Sequence, residues 1–260
     1  MSERQKIAVA GATGRLGRHI VDVARERGHD VVPISRTHGV DVVTGEGLAE
    51  ALTGVDTVID AAAYPLNEQG PATDFFVASA WNLHQVGAEA GVKRLVVVSI
   101  IGIDRFTSGF LAAKKVHEQA VLEGPLPVRI LRAAQFHEFV EPLLTWTRQE
   151  NGVRYVPAMQ TQLVAARAVA EALVDLATAG DAAGASTPPF PEIAGPRAEK
   201  LVEVAQLLAD RRGESVRIEG VSDPSDPDGV AYESGGLLPG PDAILAGPTY
   251  EEWLDGEGRS

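Results

Sequence analysis

Val9-Ala10-Gly11-Ala12-Thr13-Gly14-Arg15-Leu16-Gly17 decides how the rest of this chain is read. Its glycines fall in a G-x-x-G-x-x-G pattern. They follow a short apolar run, Ile7 to Ala10, and precede a helical pattern that begins at Arg15. An apolar run of that length ending in glycine reads as a buried strand. Strand, glycine turn and helix are the context in which such a pattern carries chemistry. Gly11 allows a tight turn off the strand, Gly14 lets the backbone approach a pyrophosphate, and Gly17 lets the helix lie close on the sheet. The helix N-terminus then offers N–H groups and a partial positive charge to the anion. The expected phosphate-binding residues are Gly11, Ala12, Thr13, Gly14, Arg15, Leu16 and Gly17.

Outward from this loop the chain alternates. The first helix pattern runs to about Arg27, with Leu16, Ile20, Val23 and Ala24 on one face, and Gly28 closes it. Val31 to Ile34 reads as a strand, Val40 to Val43 as a short third strand, and Leu48 to Leu52 as a short helix. Strand patterns at Val58 to Ala61, Leu95 to Ser99 and Val128 to Leu131 are separated by helix patterns at Phe75 to Ala90 and Phe110 to Leu122. Such alternation predicts βαβ units, right-handed crossovers and a parallel sheet. The expected class is α/β: a doubly wound parallel sheet, the NAD(P)-binding Rossmann fold, with a small C-terminal substrate lobe. Residues 1–153 form the expected dinucleotide-binding domain. Residues 154–260 hold remaining Rossmann elements interleaved with the lobe.

After about Gln135 the rhythm loosens. Phe139 to Glu150, Ala165 to Ala179 and Leu201 to Arg212 read as helices, Thr187 to Pro191 as a Pro-rich linker, and Val216 to Ile218 as a short strand. Ser222 to Gly229, rich in Asp and Pro, reads as a surface loop. The tail, Gly235 to Gly258, carries Leu237, Leu238, Ile244, Leu245 and Trp253, which predicts a docked segment.

The second strand indicates which dinucleotide. NAD specificity usually shows as an acidic residue about 20 positions on from the glycines. Here the strand ends Pro33-Ile34-Ser35-Arg36. A guanidinium can hold a 2′-phosphate bidentately where a carboxylate would repel it. Arg36, with Ser35 as a hydrogen-bond donor and Arg15 as a second positive charge, favours NADP(H). The alternative for Arg36 is a solvated surface arginine. Asp41 is either a turn residue or a neighbour of the adenine amino group.

Composition narrows the field. The chain has 260 residues, a formal net charge of -13, no cysteine and six histidines. Its acidic balance argues against nucleic acid and against anionic membrane surfaces. Thiol catalysis and Cys-ligated zinc are excluded, and the scattered histidines predict no metal site. The polar N-terminus has no signal-peptide core and no apolar run reaches a membrane span, so a cytoplasmic location is expected.

At this point the sequence resembles the atypical, NmrA-like and extended branches of the short-chain dehydrogenase/reductase superfamily. Gly11-Ala12-Thr13-Gly14-Arg15-Leu16-Gly17 looks like their phosphate loop, and Gly91-Val92-Lys93-Arg94-Leu95-Val96-Val97-Val98-Ser99 like their helix-to-strand entry to the active site. Val169-Ala170-Glu171-Ala172-Leu173 resembles a later helix of that fold. The resemblance implies an active centre of Ser, Tyr and Lys, the last two spaced Y-x-x-x-K. This chain has Ser99 and Lys114, but Phe110 stands four positions before Lys114, and Phe110 has no proton to give. The resemblance also implies that Ala61, Ala62 and Ala63 pass under the cofactor. It implies too that Ala134, Gln135 and Phe136 flank the nicotinamide.

Ser99, Lys114, Tyr64 and His137 are the candidate catalytic residues. Ser99 would polarise the substrate and Lys114 would hold the ribose. Tyr64 or His137 would supply the proton. The plainer alternative for Tyr64 is a packed loop tyrosine, and for His137 a helix-start histidine facing solvent. The expected function is NADPH-dependent reduction of a small carbonyl, enone or quinone-like substrate. The alternatives are a non-catalytic NADP(H) redox sensor that binds a protein partner and, with less support, a sugar-nucleotide epimerase. Monomer and homodimer both stay open.

Overall fold

In the computed structural model, residues 4–180 and 187–256 are described. The first residues of the polar N-terminus (1–3) and the end of the tail (257–260) lie outside them. The first half alternates as its apolar runs predict: β1 Lys6–Ala10, α1 Arg15–Glu26, β2 Asp30–Ile34, α2 Leu48–Ala51, β3 Thr57–Asp60, α3 Gln69–Glu89, β4 Arg94–Ile100, α4 Gly109–Leu122 and β5 Val128–Ala133. The second half is more broken: α5 Val140–Trp146, β6 Gln149–Glu150, β7 Val153–Pro157, β8 Gln160–Thr161, α6 Ala166–Thr178, β9 Glu192–Ala194, β10 Glu199–Lys200, α7 Leu201–Arg211, β11 Arg217–Val221, α8 Gly229–Glu233, β12 Ile244–Leu245 and α9 Tyr250–Asp255.

The main sheet has seven strands in the order β12-β9-β5-β4-β3-β1-β2, the doubly wound α/β fold. The chain runs from β1 outward to β2, then returns to the other side of β1 for β3. Ligands bind such sheets where the direction of winding reverses, beyond the strands' C-terminal ends. β2 is the sheet's edge, which is why it tolerates Pro33 opposite Val9.

Two compact units make up the chain. The first comprises Met1–Ser99, Ser108–Arg132 and Val169–Pro191; the second comprises Ile100–Thr107, Ala133–Ala168 and Glu192–Ser260. In the first unit Leu48, Leu52, Val58, Leu83, Leu95, Val97 and Ile130 belong to one buried cluster. Each such side chain contributes roughly 1.5–3 kcal/mol. Arg94 and Arg129, one position from Leu95 and Ile130 and so on the opposite face of the sheet, are buried at the carbonyl end of α6. Arg129 donates to Leu176 O, Ala179 O and Gly180 O at 2.7–2.9 Å, and Arg94 to Ala177 O and Ala179 O at 3.1 and 2.6 Å. Two cations there satisfy the carbonyls a helix leaves over and oppose its dipole.

The second unit contains the sheet β11-β7-β6 and the pair β10-β8. Here the structure departs from the predicted elements. The helix expected to reach Glu150 ends at Trp146, and β6 turns through Asn151 (φ 50°) and Gly152 (φ 79°) into β7. Asn-Gly supplies the positive φ pair that a tight hairpin requires. In the first unit, Val40 to Val43 is no strand, because the Asp41 carboxylate accepts the Val43 and Thr44 N–H groups and folds the segment into a turn. The tail packs through Leu237, Tyr250 and Leu254. Ile244 and Leu245, in the edge strand β12, stay half exposed. Thr249 and Glu252 form a capping box that starts α9. Among the described residues no helix is long and apolar enough to cross a membrane.

Candidate functional site

The glycine loop leaves β1 against the end of β2, where Gly11 N and Ala12 N both donate to Ile34 O at 3.0 and 3.2 Å. Gly11 adopts φ +75°, and a Cβ there would stand 2.6 Å from Ala61 O, in the loop after β3. A Cβ on Gly17 would stand 2.0 Å from Gly11 O. The chain therefore needs both glycines to bring loop, helix and neighbouring strand end this close. Thr13, Gly14 and Arg15 form the exposed crown of the loop. α1 starts at Gly14 with no side-chain cap and no acidic residue in its first turn. None of its own side chains neutralises the positive helix end, as an anion site requires.

Ser35 and Arg36 follow β2, beside this loop. Arg36 is exposed in a short 3₁₀ turn, Arg36–His38. The Ser35 hydroxyl lies 2.8 Å from Thr37 Oγ1 and 2.7 Å from His38 Nδ1, so it is tied into that turn. Asp41 spends its carboxylate on the next turn. Ala61 and Ala62 are half buried and Ala63 is exposed, after β3.

Ser99 lies near the end of β4. It is 2 % exposed, and its hydroxyl has no hydrogen-bond partner among the described residues. Lys114, on α4, is also buried. Its Nζ donates to Val98 O at 2.8 Å, next to Ser99 in sequence, and lies 2.8 Å from His117 Nδ1. The structure thus brings Lys114 to the backbone beside Ser99. Burial pushes the Lys114 amine down to about 8, with Asp60 and Glu118 opposing the shift.

Two residues of this site carried no signal in the sequence reading: Asp60 and His117. His117 Nε2 stands 3.2 Å from Asp60 Oδ2, off the line of an ideal hydrogen bond, and both are fully buried. Ala62 N donates to Asp60 Oδ1 at 3.0 Å. Burial pushes the Asp60 carboxyl up, but His117 and Lys114 outweigh it and hold it below its ordinary value. Burial and Lys114 together keep the His117 imidazole below its own. The sequence marks them only by position: Asp60 is a lone carboxylate closing the run Thr57-Val58-Ile59, and His117 lies one turn from Lys114.

Phe76 of α3 roofs this group. Its ring stacks on His117 (4.7 Å between centroids, 24° between planes), and Lys114 Nζ lies 4.8 Å from its centre. Phe110 meets Phe76 edge-on at 5.6 Å. Tyr64 packs against the same cluster and contacts Phe75 at 6.1 Å. Tyr64 and Lys114 therefore border one aromatic cluster.

The remaining expected residues belong to the second unit. Ala134 N donates to Ile193 O at 2.9 Å, and Phe136 bridges Val164. The Gln135 side chain accepts from Thr161 Oγ1 at 2.9 Å. His137 is not at a solvent-facing helix start. It is 1 % exposed, its Nε2 is 3.0 Å from Pro248 O, and its ring packs on Tyr250 and Trp253. Burial pushes it down to about 4, so near neutrality it is an uncharged group packed under the tail. Among the described residues no cluster of His, Asp and Glu stands where it could hold a metal ion.

With the glycine loop set at the sheet's reversal point, comparison with known proteins gives the class. The chain belongs to the NAD(P)H-binding family, which matches residues 11–179. It is 29% identical over 240 residues to a photosystem II assembly factor, Ycf39, of Synechocystis sp., covering 83% of this chain and 70% of that protein. It is 32% identical over 162 residues to a 4-hydroxy-tetrahydrodipicolinate reductase of Natronomonas pharaonis, covering 60% of this chain and only 54% of that protein. Among solved structures, MoeE5 in complex with UDP-glucuronic acid and NAD superimposes with a TM-score of 0.70 at 20% identity, over 96% of this chain and 99% of that one. Triphenylmethane reductase of Citrobacter sp., complexed with NADP(H), gives 0.66 at 16% identity, over 96% and 99%. At these identities the solved structures establish the fold alone, a doubly wound Rossmann-type α/β architecture.

Proposed function

We propose that this chain binds NADP(H) and uses it to reduce a small carbonyl, enone or quinone-like substrate. The observation that carries the reading is the pairing of an uncapped helix start behind Gly11, Gly14 and Gly17 with Arg36 at the end of β2. The loop's crown and the α1 N-terminus hold the pyrophosphate, and Arg36 with Ser35 and Arg15 holds the 2′-phosphate. Ala61, Ala62 and Ala63 keep the surface under the adenine side free of bulk. In this reading Ala134, Gln135 and Phe136 flank the nicotinamide, and segments within 154–260 supply the substrate lobe. When bound, the dinucleotide supplies a hydride to an electrophilic carbon.

The chain's own groups manage the oxygen on which charge develops. Ser99 brings a hydroxyl not otherwise engaged, ready to donate. Lys114 brings an ammonium whose acidity, near 8, suits proton release at neutral pH. Lys114 thereby takes over the proton role that Phe110 cannot fill, and Tyr64 is the second donor at the same cluster. His137, enclosed by the tail and held neutral, has no part in the reaction. The test is an NADPH-oxidation screen over aldehydes, enones and quinones, repeated with Lys114→Met. Turnover that vanishes in the variant supports the reading, and a fully active variant removes Lys114 from the site.

A second reading is favoured by Phe110 and by the likeness to an assembly factor. In it the chain binds the dinucleotide without turnover, and its oxidation state governs contact with a protein partner. Tight NADP(H) binding, no turnover across the panel and different affinities for NADP+ and NADPH would select this reading.

A further inference from the structure

Asp60 is a carboxylate buried at the end of an apolar strand, a position that is costly unless the charge is compensated. Compensation comes through a chain of three side chains. An ammonium has only protons to donate, so with Lys114 charged, His117 Nδ1 accepts from Nζ at 2.8 Å. The imidazole proton then sits on Nε2, turned toward Asp60 Oδ2 at 3.2 Å. Asp60 and Lys114 thus form an ion pair bridged by a neutral imidazole. Val98 O and the Phe76 ring fix the ammonium from two further sides.

We propose that Asp60 and His117 are positioning residues that act through Lys114: the bridged carboxylate holds the ammonium against the backbone beside Ser99 and retains its proton until a substrate oxygen takes it. The proposal rests on the reading of Lys114 as a site residue. With Lys114 protonated the three groups carry no net charge. Proton release leaves one negative charge on Asp60, which accepts from Ala62 N and faces His117 Nε2 at 3.2 Å.

Among the described residues, the groups placed around Lys114 come from β3, β4, α3 and α4. β3 contributes Asp60, and β4 contributes the Val98 carbonyl. α3 contributes the uncharged Phe76 ring, while its His84 lies 2.8 Å from Val121 O. On α4 itself stand His117, Lys115 and Glu118, the last paired with Arg132 of β5 at 2.7 Å. Asp60 and Glu118 raise the Lys114 pKa against the lowering by burial. Removing the Asp60 charge must therefore lower it further.

The chain has five lysines, Lys6, Lys93, Lys114, Lys115 and Lys200, so the full-length protein labelled at lysine side-chain nitrogen and carbon resolves each titration by NMR. In Asp60→Asn the Lys114 midpoint falls by about one pH unit or more. His117→Phe keeps the stack on Phe76, loses the bridge, and gives a fall in the same direction. In the unmutated protein the His117 ring stays neutral with its proton on Nε2 near neutral pH, a readout that does not depend on any variant folding. Where turnover is measurable, the alkaline limb of kcat follows the Lys114 midpoint downward in Asp60→Asn, with KM for NADPH little changed. An unmoved Lys114 midpoint in both variants, or a His117 ring protonated on Nδ1 alone, would overturn the positioning role. Parallel calorimetry with NADP+ separates the two readings. Intact NADP+ binding with an unmoved midpoint overturns this proposal and leaves the proposed function standing. A moved midpoint with no NADP+ binding overturns the proposed function, and with it any action on a reaction.

Discussion

Gly17 lies so close to Gly11 that a Cβ on the first would sit 2.0 Å from the carbonyl oxygen of the second. That contact is backbone against backbone, so no side chain can swing away to relieve it. Gly17→Ala must push α1 off the loop. Overpacking of this kind costs about 1–3 kcal/mol or more. A lowered Tm together with loss of dinucleotide binding is the expected outcome. An alanine variant with unchanged Tm and affinity would show that the loop tolerates a wider spacing.

Arg36 is exposed and stands at the end of β2, just beyond the loop. Charge-assisted hydrogen bonds of the kind it would make to a 2′-phosphate contribute about 1.5–3 kcal/mol, roughly 10- to 100-fold in affinity. Arg36→Asp should weaken NADPH by that factor, with repulsion adding to it, and should change NADH little. Equal affinities before and after would place the 2′-phosphate elsewhere.

His137 links the tail to pH. Its pKa falls from the ordinary 6.5 to about 4 in the fold, so the unfolded chain takes up the proton first as pH drops. The stability it contributes is complete above 6.5, declines between 6.5 and 4, and is lost below that. The shift corresponds to about 3 kcal/mol. Urea unfolding at a series of pH values should show the decline, and His137→Phe should flatten its own share of it, while buried His84 and His117 retain theirs.

Arg129 donates to three carbonyls at and beyond the end of α6. Arg129→Met leaves those buried acceptors short of donors and removes one of two cations opposing the helix dipole. The expected loss is about 3 kcal/mol in denaturant unfolding, since hydrogen bonds to charged groups contribute roughly 1.5–3 kcal/mol each and Arg94 retains part of the cap. A change below measurement error would mean that Arg94 alone satisfies the helix end.

The fold was legible because its signals are local. Apolar runs of four to seven residues, glycine stops and the loop at Gly11 to Gly17 each state their conformation within a few neighbours. The strands of two residues, β6, β8, β10 and β12, are too short to carry any period. β6 and β7 have a legible mark in Asn151-Gly152, but Thr147-Arg148-Gln149-Glu150 before it is wholly polar and carries no alternation that would separate a strand from the end of the preceding helix. Within the candidate site, Ser99 and Lys114 were legible through the family resemblance, at the end of a strand and on the helix that follows. Asp60 and His117 were not, because their meeting is made by the parallel register of β3 beside β4 and by the way α4 lies on α3. His137 read as a titrating group because nothing local showed that Pro248, Tyr250 and Trp253 would enclose it.

Calorimetric titration of the purified protein with NADPH, NADP+, NADH and NAD+ in parallel tests the central claim most directly. The uncapped start of α1 and Arg36 predict clear binding of the phosphorylated pair, with NADH and NAD+ weaker by about tenfold or more. Binding of none of the four, or a preference for the unphosphorylated pair, would contradict the account.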